Sequence, residues 1–110
     1  MECPNIGEIK FSQISLDAIE DIRRRQRLSK FLVVTIGVGQ IANIFFGNGM
    51  LESTYSLYST DFELMAESMR SAPEIIRKSI EQTAGMTYLS VPTHKERLFW
   101  MAVVSGCRIH

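Results

Sequence analysis

Residues 31–51 read FLVVTIGVGQIANIFFGNGML, and this stretch decides the fold class because its 21 positions carry no charged side chain. As a helix it would extend about 30 Å, which is the thickness of the hydrocarbon core of a bilayer. Its most apolar part, residues 31–46, also has the length of a buried core helix. The stretch therefore predicts one long uncharged helix over about 31–46, with a membrane form that extends to 51. That helix either spans a membrane or forms the core helix of the fold.

Several features of this stretch keep other interpretations open. The motif Gly47-Asn-Gly49 is typical of a helix end or a turn. Residues 31–38 are rich enough in β-branched side chains for a buried strand. A membrane-spanning helix, a soluble core helix and a strand are therefore three alternatives at this point.

Small and hydrogen-bonding residues recur every four positions along the same stretch, at Thr35, Gly39 and Asn43. On a helix they would form one stripe, and such stripes let membrane helices approach each other closely. We expect these three residues to contact a partner helix. The alternative is packing against another helix inside a monomeric core.

A basic cluster precedes the uncharged stretch, and acidic residues follow it. The positive-inside rule then predicts a membrane-associated protein with a cytoplasmic N-terminus, and a soluble cytoplasmic protein is the alternative. The cluster could contact anionic lipid headgroups, an acidic partner or nucleic acid, or it could simply be the solvated end of a helix. Its members are Arg23, Arg24, Arg25, Arg27 and Lys30.

Capping boxes, in which Ser, Thr or Asp is followed by Glu three residues later, predict the starts of the remaining helices. They predict helices from Asp17, over 61–71, over 73–84 and over 94–105, with Ile75, Ile76 and Ile80 on one buried stripe. A short strand is possible within 7–12.

The fold class is all-α, with about four to five helices in one domain (1–110). Within it we distinguish an N-terminal arm (1–14), a basic helix plus apolar helix (15–51) and a C-terminal helical part (52–110). The four boxes lie at Asp17–Glu20, Thr60–Glu63, Ser71–Glu74 and Thr93–Glu96.

The last predicted helix is apolar all round between Leu98 and Val104, so it must be covered on most sides by protein or lipid. Surplus apolar surface of this kind is typical of a docking surface. We expect Leu98, Phe99 and Trp100 to contribute to such a surface.

Composition argues against several functional classes. Twelve basic and twelve acidic residues give a net charge of zero, which argues against a general nucleic-acid binder. Two cysteines are too few for a disulfide framework. The pair Cys107-x-x-His110 lacks the second close pair of a structural zinc site, and no catalytic or cofactor-binding constellation is visible.

These observations predict a small, non-catalytic helical subunit of a larger, membrane-associated protein assembly, without a cofactor or metal. Other protein subunits and membrane lipid would be its partners, and no small-molecule substrate is indicated. The alternative is a soluble helical regulator or dimeric adaptor whose arginine cluster binds an acidic partner or nucleic acid.

Overall fold

A computed structural model describes residues 3–28, 39–47 and 49–108, with the side chains of 26–28 also left aside. This part of the chain is mostly helical, at 66%, and contains five helices and one two-stranded sheet. The elements, in order, are β1 (Gly7–Lys10), α1 (Gln13–Leu28), α2 (Gln40–Phe46), β2 (Thr54–Leu57), α3 (Ser59–Arg70), α4 (Glu74–Tyr88) and α5 (His94–Cys107).

The two strands pair in antiparallel register, with Ile9 opposite Tyr55 and Gly7 opposite Leu57. Ile9 and Leu57 are buried, whereas Glu8 and Lys10 are exposed, so the sheet covers the core with one face. The short strand predicted within 7–12 is confirmed. Its partner β2 was not predicted, although Tyr55 and Leu57 alternate with polar residues as an exposed strand requires.

Helix α5 lies at the centre of the fold and packs against α3 and α4. Its Phe99 and Trp100 are fully buried, and their ring centroids lie 4.9 Å apart in an edge-to-face arrangement. The rings of Phe11 and Phe45 pack on Phe99 from the arm and from α2. Protein therefore covers most sides of the uniformly apolar helix that the sequence predicted.

The uncharged stretch 31–51 does not form one continuous helix. Residues 31–38 lie outside the described part, and the helix found beyond them, α2, has only seven residues. Gly39 precedes it with φ 96°, a backbone conformation that a helix cannot contain, and Gly47 ends it with ψ 156°. Ile41 and Phe45 of α2 are buried in the protein core. No helix among the described residues is long and apolar enough to cross a membrane.

Several helix boundaries differ from the predicted ones, among them the end of α5, which lies at Cys107 instead of residue 105. α1 begins at Gln13 instead of Asp17, and α3 begins at Ser59, where the Asp61 carboxylate accepts a hydrogen bond from the Tyr58 amide at 2.8 Å. α4 runs through Gly85 to Tyr88, whereas the predicted helix covers 73–84. An interior glycine costs only about 1 kcal/mol, which the packing of α4 on α1 and α5 outweighs. The start of α5 is confirmed, because the Thr93 hydroxyl accepts the Glu96 amide proton.

One buried carboxylate joins the beginnings of α1 and α5. Glu96 is 1% exposed, and its oxygens accept hydrogen bonds from the Ser12 amide at 3.2 Å and the Ser12 hydroxyl at 2.6 Å. They also accept from the hydroxyls of Ser15 at 2.6 Å and Thr93 at 3.1 Å. The indole N–H of Trp100 donates in turn to the Ser15 hydroxyl at 2.9 Å. This network satisfies a charge that would otherwise be costly to bury.

Candidate functional site

The first member of the predicted basic cluster points into the protein. Arg23 is buried, and its guanidinium donates to the carbonyl oxygens of Ile44 at 2.6 Å and Gly49 at 2.7 Å. Both carbonyls lie at or just beyond the C-terminal end of α2, where a helix leaves acceptors unsatisfied and favours positive charge. Arg23 therefore closes the end of α2 and is not presented to a partner.

The next two arginines differ from each other in their surroundings. Arg25 forms a close ion pair with Asp21 and donates to the hydroxyls of Ser79 at 2.9 Å and Thr83 at 2.8 Å, which ties α1 to α4. Arg24 is largely exposed and lies 3.6 Å from Asp21. The side chain of Arg27 and all of Lys30 lie outside the described residues. Arg23, Arg24 and Arg25 thus do not share one basic surface.

The predicted stripe of small residues is not found as a single helix face. Gly39 precedes α2, and Asn43 lies on the exposed side of that helix. Thr35 lies outside the described residues. Gly39 does permit a close approach, because a side chain added there would place its Cβ 3.2 Å from the Cβ of Leu64 on α3.

The predicted docking surface on α5 is divided between the core and the exterior. Phe99 and Trp100 are buried and cannot reach a partner in this structure. Leu98 is partly exposed, as is Met101 one turn further on, and both line a groove of about 460 Å³ beside residues 3–5. The sequence could not divide the run in this way, because every position between Leu98 and Val104 is apolar.

A second group of exposed apolar side chains lies on α4, and the sequence pattern did not indicate it. Ile75, Met86 and Leu89, the last just beyond the helix, are 76%, 66% and 81% exposed. Their spacing of eleven and three residues, together with Gln82 between them, places all four on one side of the helix. We call these four residues the α4 face. Ile75 had been predicted to be buried beside Ile76 and Ile80, but only the latter two face the core.

A hollow of about 480 Å³ adjoins the α4 face on the side of α5. Gly85 lies in its wall, and a Cβ added to Gly85 would meet no atom within 4 Å. Val104 of α5 borders the hollow, and the ion pair of Glu81 with Arg108 (3.2 Å) lies at its edge. The hollow is therefore open space that no side chain of the described residues fills.

The two thiols are poorly suited to chemistry. Burial, reinforced by the charge of Glu81, raises the pKa of Cys107 to about 12. Desolvation and the charge of Glu63 raise the pKa of Cys3 as well. A thiol must ionise to act as a nucleophile or metal ligand, so both shifts lower reactivity. No group of three His, Cys, Asp or Glu side chains in the described part of the chain could hold a metal ion.

Comparisons with known proteins add no relative to this picture. No family model matches the sequence, and neither the curated proteins nor the solved structures contain a significant match.

Proposed function

We propose that this chain is a non-catalytic helical subunit of a protein assembly and that it binds its partner through the α4 face. The observation that carries the proposal is the exposure of three large apolar side chains, Ile75, Met86 and Leu89, on one side of one helix. Single exposed apolar residues are ordinary, whereas apolar side chains grouped on one surface are typical of interaction sites.

The energetic reason is the cost of leaving these side chains in water. Burying one Leu, Ile or Met side chain contributes about 1.5–3 kcal/mol. A partner that covers the α4 face would therefore gain most of this free energy for each of its three apolar side chains, Ile75, Met86 and Leu89. The groove beside Leu98 and Met101 offers a second apolar contact.

Two finer versions of the function receive less support. Anchoring in lipid through residues 31–51 would compete with the core packing of Ile41 and Phe45, which belong to the same stretch. Carbonate extraction of membranes tests that version directly, since an anchored chain stays in the pellet. Recognition of an acidic partner or nucleic acid by the arginines is weakened because Arg23 closes α2 and Arg25 is engaged with α4.

The native mass of the chain in extracts of the cells that express it tests the proposal. We expect the wild-type chain to elute in size-exclusion chromatography well above the mass of one chain. The double variant Ile75→Ser, Leu89→Ser should shift to the mass of one chain. Ile14→Ser is the matched control, because Ile14 is an exposed apolar residue on a different helix, α1. Elution of the wild type as a single chain, or an unshifted double variant, contradicts the proposal.

A further inference from the structure

We draw no further inference here: the strongest candidate, the α4 face with the hollow of about 480 Å³ beside Gly85, belongs to the site already described, and nothing in the described part of the structure shows what covers it.

Discussion

The carboxylate of Glu96 accepts a hydrogen bond of 2.6 Å from the hydroxyl of Ser15, across 81 positions of sequence and inside the core. The same carboxylate lies at the N-terminal ends of both α1 and α5, since it also accepts from the Ser12 amide and belongs to the capping box of Thr93. The N-terminal ends of helices favour negative charge. Two helix ends therefore stabilise one buried anion, and that anion holds the two helices together.

Replacing Glu96 tests this role. Glu96→Ala removes the acceptor of Ser12 and Ser15 and leaves their buried donors unsatisfied, so we expect the free energy of unfolding to fall by about 3 kcal/mol. Glu96→Gln keeps the shape and one acceptor, so its loss should be smaller. Urea titration followed by circular dichroism measures both. Glu67→Ala, at an exposed position of α3, is the control and should change stability by less than about 0.5 kcal/mol. Equal effects of Glu96→Ala and Glu67→Ala would refute the role.

Arg23 offers a second test, because a neighbouring arginine on the same helix is a matched control. Arg23→Ala leaves the carbonyls of Ile44 and Gly49 without their donor, and we expect a loss of about 2–4 kcal/mol. Arg23→Lys should recover little of it, since an ammonium cannot reproduce the planar fork of donors. Arg24→Ala should be nearly neutral because Arg24 is largely exposed. Thermal melts of the three variants decide the matter, and a stable Arg23→Ala protein would show that α2 does not need this contact.

Two glycines should respond to alanine in opposite directions. Gly39 has a φ of 96° and lies against Leu64, so Gly39→Ala should destabilise the fold by about 1–3 kcal/mol. Gly85 is inside α4, and a Cβ added there would meet open space. Gly85→Ala should therefore stabilise the fold by about 0.5–1 kcal/mol. Both are measured by urea titration at low protein concentration, where association does not contribute. The same sign for both variants would contradict the conformation assigned to Gly39.

The buried thiol of Cys107 predicts an alkaline loss of stability. Its pKa is about 12 in the folded chain, against an ordinary value of 9.0. The folded state binds the thiol proton more tightly than the unfolded state does. The contribution of Cys107 to the free energy of unfolding is therefore complete below pH 9 and is lost as the pH rises towards 12. The slope from this group is about 1.4 kcal/mol per pH unit. Cys107→Ala should remove that part of the slope in unfolding titrations at a series of pH values.

Thiol labelling provides the control for this prediction. At neutral pH a thiol reagent should modify Cys3, which is only partly buried, and should reach Cys107 after unfolding in urea. Rapid modification of both cysteines in the folded chain would contradict the burial of Cys107.

The parts of the fold that local sequence determines were predictable, and the parts that depend on distant residues were not. Thr93 and Glu96 lie three residues apart, so their capping box could be read directly and marks the true start of α5. The start of α1 at Gln13 depends instead on Glu96, which is 84 positions from Ser12, and no local pattern shows that bond. Strand β1 shows its alternation locally, but its pairing with β2 joins residues that are far apart in the chain.

The interaction surfaces illustrate the same limit. Ile75 and Ile76 are adjacent isoleucines, and only the packing of α4 decides that the first is exposed and the second buried. Continuing the seven-residue spacing from Ile75 through Gln82 to Leu89 could have indicated the α4 face. The predicted helix ends at residue 84, so the predicted pattern does not extend to Leu89.

The bond between Ser12 and Glu96 has a consequence for synthesis of the chain on the ribosome. Translation adds about 5–20 residues per second, so the acceptor for Ser12 follows its donor by roughly 4–17 seconds. During that interval the first turn of α1 lacks the carboxylate of Glu96 as a hydrogen-bond acceptor. Strand β1 remains unpaired for the shorter time until β2 has been synthesised. The N-terminal end of α1 therefore reaches its final hydrogen bonding only after the beginning of α5 has been synthesised.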